Sequence, residues 1–172
     1  MSTQRLLRWA NDAMSEVTLQ IPARPEYLSL ARQVVAAAAA VEPTFHDERI
    51  DDLRIAVSEA TTNAIEAHAD MPSDERIVIR CNLDDDFIEV EVLDQGIGFD
   101  PGTLASMPAA SAPDRLHYER GLGIPLMRVL ADEADITSGE TGTAVRLVVY
   151  TPAHRRRTPA TSVSEGSGHE QA

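Results

Sequence analysis

Two hydrophobic periods take turns along this 172-residue chain, and the order in which they do so predicts its architecture. Glu16-Val17-Thr18-Leu19-Gln20-Ile21 alternates polar and apolar positions and stops at Pro22, the pattern of a strand at a sheet edge. Over residues 25–41 the period changes: Tyr27, Leu28, Leu30, Ala31, Val34 and Val35 recur at helical spacing in an alanine-rich run that Pro43 ends. A second helix follows. Asp47, Glu48, Asp51 and Asp52 crowd its start, where the helix dipole favours carboxylates. Ile50, Leu53, Ile55, Ala56, Val57, Ala60, Ala64 and Ile65 then carry an apolar stripe to about His68.

Residues 76–83 and 87–93 return to strand character, and Asp84-Asp85-Asp86 separates them at hairpin distance. Residues 121–132 open on glycines and carry Leu122, Leu126, Met127, Val129 and Leu130 at helical spacing. Residues 134–138 and 143–150 form a last hairpin around Gly139-Glu140-Thr141-Gly142. Between Asp94 and Arg120 lie Gly96, Gly98, Pro101, Gly102, Pro108 and Pro113, with small residues between them. A compact domain seldom leaves so long a stretch without structure unless it is a functional lid or disordered. The order strand, helix, helix, hairpin, long loop, helix, hairpin predicts an α+β fold. It is a two-layer sandwich, with helices on one face of a mixed, mostly antiparallel sheet. An N-terminal arm (1–15), one domain (16–150) and a tail (151–172) are expected. The tail, rich in Ser, Thr, Gly and Pro with Arg155-Arg156-Arg157, has no apolar period and is expected to be disordered.

Charge narrows the partners. Lys and Arg number 15 against 28 Asp and Glu, a net charge of −13. Direct nucleic-acid binding and attachment to anionic membranes both need clustered cations, so neither is expected. A single cysteine, Cys81, excludes an internal disulfide. The opening MSTQRLLRWANDAMSE has neither a long apolar run nor a small-residue cleavage site, so the cytoplasm is the expected address. Clusters of His and Cys with metal-site spacing, and any nucleophile elbow, are missing as well.

Four short motifs carry possible chemistry. Glu59 and Asn63 stand four apart on the second helix and share one face. Asp94-Gln95-Gly96-Ile97-Gly98-Phe99 follows a strand, and its glycines let backbone approach a ligand closely. Arg120-Gly121-Leu122-Gly123 opens a helix whose first N–H groups, with the Arg120 guanidinium, suit an anion. Gly142-Thr143 enters the last strand, where the Thr143 hydroxyl can meet a ligand edge. Taken singly, these are also a solvated helix face, a strand-ending turn, a glycine-rich helix start and a plain turn. His68 reads as a cap on the helix dipole.

Together, in this order and on these elements, the motifs resemble those of the GHKL ATPases, whose Bergerat fold holds an N box, two glycine boxes and a flexible ATP lid. Within that superfamily residues 17–150 look most like the small bacterial anti-sigma-factor serine/threonine kinases. The resemblance implies that Asn63 holds Mg²⁺ against the triphosphate of ATP and that Glu59 takes the proton of the attacking hydroxyl. It implies that Asp94, helped by Thr143, receives the adenine amine. Gly96 and Gly98 would start the lid hinge, and Arg120, Gly121, Leu122 and Gly123 would meet the phosphates. The implied partners are a sigma factor, an anti-anti-sigma protein phosphorylated on Ser or Thr, and a second copy of the chain in a homodimer.

Two other readings share these motifs. A nucleotide-sensing module would hold a sigma regulator without transferring phosphate. The catalytic domain of a histidine kinase would need a dimerisation helix pair, for which the residues before Val17 are too few.

Overall fold

The computed structural model describes residues 15–69, 75–98 and 123–157. Its elements are β1 (Ser15–Pro22), a 3-10 turn (Pro25–Tyr27), α1 (Leu28–Ala39), α2 (Asp47–Ala67), β2 (Arg76–Leu83), β3 (Phe87–Asp94), α3 (Gly123–Leu130), β4 (Glu133–Gly139), β5 (Gly142–Tyr150) and α4 (Pro152–Arg157). The strands form one sheet in the order β1-β2-β3-β5-β4, and every pairing in it is antiparallel. The α+β sandwich predicted from the sequence is present, with no parallel pair among the described strands.

Period-2 alternation fixes which side of the sheet meets the helices. Register aligns Leu19 with Ile79, Ile79 with Val92, Val92 with Val145 and Val145 with Ile136, so one apolar row crosses all five strands. A neighbouring row contains Cys81, Val90, Leu147 and Ala134. A one-residue slip in any pair would send such a row to the solvent face, which is why the register is strongly specified. Against these rows pack Ala31, Val35, Ala38 and Ala39 of α1, Leu53, Ala56, Val57, Ala60 and Ala64 of α2, and Ile124 and Met127 of α3. Alanine at so many helical contacts lets the helix backbones lie close to the sheet. The opposite sheet face is polar: Arg146 bonds Glu133 (3.0 Å) and Asp135 (3.1 Å) and pairs with Glu89, while Arg80 faces Glu91 at 3.6 Å.

Several expectations change in detail. Leu30 and Ile55 belong to the apolar stripes of the sequence, but both are exposed, as are Leu126 and Val129 of α3. Ala31, Val35, Ala56 and Ala60, on the same predicted stripes, are the positions that pack. The tail was expected to be disordered from Thr151, yet α4 forms there. Thr151 caps it, accepting from the His154 N–H at 3.3 Å, and is itself tied to the β2–β3 hairpin through Asp86 O (2.8 Å) and Asp85 O (3.2 Å). The capping threonine follows a strand and opens a helix too short to show a period, so the sequence carries no sign of it.

α2 has a structural end and an end that carries the candidate residues. At its start Arg49 donates to Asp52 (2.9 Å), to Leu130 O (3.1 Å) and to Asp132 (2.8 Å). Asp132 also takes the Tyr150 N–H (2.8 Å) and pairs with Arg155. This network pins the last turn of α3, the end of β5 and α4 to one helix. Among the described residues no helix is long and apolar enough to cross a membrane.

Candidate functional site

Glu59 and Asn63 occupy successive turns of α2, Glu59 half-buried and Asn63 exposed. Sequence spacing puts them on one face; tertiary packing brings them a third residue from sixty positions away. Gly123, the first residue of α3, is buried against both. A Cβ at 123 would stand 3.0 Å from Glu59 Oε2 and 3.5 Å from Asn63 Nδ2. The missing side chain lets the start of α3 lie close to both, and the first N–H groups of a helix have no partners within it. An anion, an amide and an acid can be served at one place.

The second cluster forms where α2 ends. Asp94, the last residue of β3, sits opposite Thr143 in the β3–β5 ladder. Its carboxylate accepts the backbone N–H of Gly96 at 2.8 Å and that of Thr143. Burial pushes the Asp94 carboxyl above the usual range. The two N–H donors and the nearby His68 pull the other way without cancelling that rise. The Thr143 hydroxyl is buried and lies 3.0 Å from Ser138 Oγ.

The glycines hold this cluster together. A Cβ on Gly96 would come within 2.7 Å of Ala67 Cβ, and the Ile97 N–H donates to Ala67 O at 3.2 Å, so the turn after β3 lies directly on the end of α2. Gly98 approaches the β4–β5 turn, where a Cβ would meet Gly139 O and Ser138 Oγ. Gly142 holds φ at +124°, a conformation that L side chains rarely adopt, and a Cβ there would strike Asp94 O.

Both clusters belong to the same end of α2. Asn63 and Ala67 are one turn apart, roughly 6 Å along the axis at 1.5 Å per residue. Of the residues singled out from the sequence, the structure gathers Glu59, Asn63 and Gly123 at one station and Asp94, Gly96, Thr143 and the neighbouring Gly98 at the other. Arg120, Gly121, Leu122 and the lid residues 99–119 lie outside the described residues. Sequence reasoning missed Ala67 and Ser138. Neither carries a chemical signal, and only the packing of Gly96 and the pairing of β4 with β5 give them a place. A separate cleft of about 570 Å³ lies at the far end of α2, lined by His46, Arg49, Tyr150 and Arg155 among others. Asp132 pairs with both arginines there, and Asp52 pairs with Arg49 as well.

Comparison with known proteins agrees with this geometry. The family described as the histidine kinase-like ATPase domain matches residues 21–149. The Serine-protein kinase RsbW of Bacillus velezensis is 34% identical over 143 residues, covering 81% of this chain and 88% of that protein. The RsbW of Listeria innocua is 34% identical over 152 residues, covering 87% and 96%. The RsbW of Bacillus subtilis is 33% identical over 143 residues. Among solved structures, the RsbU and RsbW domains of Rv1364c from Mycobacterium tuberculosis superpose with a TM-score of 0.58 at 20% identity. That match covers 80% of this chain and 32% of the other, and it supports the fold alone.

Proposed function

We propose, because this chain belongs to the histidine kinase-like ATPase domain family and within it to the RsbW-type serine-protein kinases, that it regulates a sigma factor by sequestration and by phosphorylating an anti-anti-sigma protein. It is an ATP-dependent serine/threonine-protein kinase of the GHKL superfamily. The observation that carries the reading is the convergence of Glu59, Asn63 and the buried start of α3 at Gly123.

Each residue then has a task set by its chemistry. Asp94, an acceptor at the end of β3, receives the amine of adenine, with Thr143 opposite it in the ladder. Gly96 and Gly98 seat the turn after β3 on the end of α2 and on the β4–β5 turn, which holds Asp94 in place for the base. The N–H groups at the start of α3, with Arg120 and Gly121 before them, take the phosphate oxygens. The acceptor hydroxyl oxygen attacks the γ-phosphorus in line, the bond to the β–γ bridging oxygen breaks, ADP leaves, and the hydroxyl proton goes to the Glu59 carboxylate. Asn63 suits Mg²⁺, since an exposed neutral amide adds a hard oxygen without adding charge, and magnesium draws most of its shell from water and phosphates. When bound, that ion neutralises charge on the triphosphate. The kinase works in the cytoplasm on protein partners.

The test incubates the protein with γ-labelled ATP, magnesium and candidate anti-anti-sigma proteins, beside Glu59→Ala and Asn63→Asp. Label should pass to a Ser or Thr of one partner, fail to pass with Glu59→Ala although nucleotide still binds, and be lost together with Mg-ATP binding in Asn63→Asp. Nucleotide binding with no label on any partner would favour the non-transferring module. Unchanged calorimetric affinity in Asn63→Asp would remove the metal assignment.

A further inference from the structure

The apolar row of Val92, Val145 and Ile136 faces the helices, and two positions further along the same strands stand Asp94, Thr143 and Ser138. Alternation gives these three side chains the same face, so the sheet ends on that side in a polar row of one carboxylate and two hydroxyls. Neighbours in the row are opposite each other in the ladder, Asp94 with Thr143 and Thr143 with Ser138. The two hydroxyls are in contact, with Ser138 Oγ 3.0 Å from Thr143 Oγ1. Ser138 also borders the turn after β3, since a Cβ on Gly98 would stand 2.9 Å from its Oγ. Half-buried on the edge strand β4, it therefore lies against both Thr143 and the glycine turn.

Proton counting gives this pair of hydroxyls a direction. Each has one proton and two lone pairs, and either can donate across the 3.0 Å between them. An ionised Asp94 only accepts, so it serves the 6-amino group of adenine. The ring nitrogen beside that amine has a lone pair and no proton, so whatever serves it must donate, directly or through one water. Thr143, opposite Asp94, has a single proton for that task. Once that proton goes to the base, the contact with Ser138 is a hydrogen bond only when Ser138 is the donor.

We propose that Ser138 is a positioning residue of the base subsite, donating its hydroxyl proton to Thr143 Oγ1 and so leaving the Thr143 proton aimed at the adenine ring nitrogen. Resting on the nucleotide-site reading above, this role adds a residue that acts on the base only through Thr143. Without the Ser138 hydroxyl, the Thr143 hydroxyl regains its rotation. Ordering it again on binding then weakens its contact with the base.

Calorimetry on the full chain compares Mg-ATP with Mg-1-deaza-ATP, in which that ring nitrogen is a C–H group, for the unaltered protein, Ser138→Ala, Thr143→Val and the double variant. The unaltered protein should bind the deaza nucleotide about three- to tenfold more weakly, the range of one neutral hydrogen bond. Ser138→Ala should lose about two- to fivefold in affinity for ATP and nothing for the deaza nucleotide. In the Thr143→Val background, Ser138→Ala should change neither affinity, because a residue acting through a second one has no effect once the second is gone. A serine that only supports the local structure would weaken both nucleotides alike and add its effect to that of Thr143→Val. Either outcome overturns the role of Ser138, as does an unchanged ATP affinity in Ser138→Ala. Equal binding of the two nucleotides by the unaltered protein overturns it without recourse to any variant, and leaves Asp94 and the phosphate contacts standing. Absence of ATP binding to the unaltered protein overturns the site reading and the role of Ser138 together.

Discussion

Asp94 sits where function and stability pull in opposite directions. Burial raises its carboxyl, which means that the folded chain holds the charged form at a cost the unfolded chain does not bear. That contribution is absent at low pH, where the carboxyl is protonated in both states, and it grows as pH rises through the folded-state titration. Asp94→Asn removes the buried charge and keeps an oxygen for the Gly96 and Thr143 N–H groups. The variant should therefore melt at a higher temperature than the unaltered chain at pH 7.5. The gap should close as pH is lowered, while adenine nucleotide affinity is lost; a lower melting temperature at pH 7.5 would contradict the account of Asp94. Gly142 shows the same scale of control through sterics: its φ of +124° and its contact with Asp94 O leave no room for a side chain at the turn that presents Thr143.

Elements position these residues, and α3 depends on both of its ends. Its start meets Glu59 and Asn63, and its last carbonyl, Leu130 O, is taken by Arg49 from the first turns of α2. One eight-residue helix is thus clamped at two points along a helix of 21 residues. An isolated helix of that length would not persist in water, so the clamp and the burial of Ile124 and Met127 are what hold it. Arg49→Ala leaves Leu130 O without its donor and Asp132 without one of its two arginine partners. About 1–3 kcal/mol of stability should be lost in urea unfolding, the cost of leaving partly buried polar groups unpaired. Amides of α3 should exchange faster than those of α1. Equal exchange would separate α3 from the clamp.

At the scale of the whole molecule, the core and the site are distinct bodies of contacts. Leu147 is fully buried at the centre of the sheet, paired across with Val90 and Ala134, far along β5 from Thr143. Leu147→Ala should cost about 2–5 kcal/mol in denaturant unfolding, the range for a leucine cavity in a packed core. It should leave nucleotide affinity unchanged under conditions where the chain stays folded. A fall in affinity with little loss of stability would mean that the sheet centre and its end are coupled more tightly than the packing indicates.

What could be read from the chain and what could not divides along physical lines. Local periodicity determined the elements: alternation at 16–21, 76–83 and 87–93 could only bury one face of a strand, and the stripe from Ile50 to Ala64 only one side of a helix. Spacing alone also put Glu59 and Asn63 together, because a helix makes positions four apart neighbours. Leu30 and Ile55 went astray because periodicity names a stripe but not which edge of it faces the sheet; close packing chose the alanines. The tertiary structure alone decided that Gly123 lies against Glu59 and that Gly96 lies on Ala67. Each of these is a contact between residues distant in sequence or separated by a turn. Its distance is set by how helices and sheet pack as solid bodies, a quantity that no local pattern of side chains encodes.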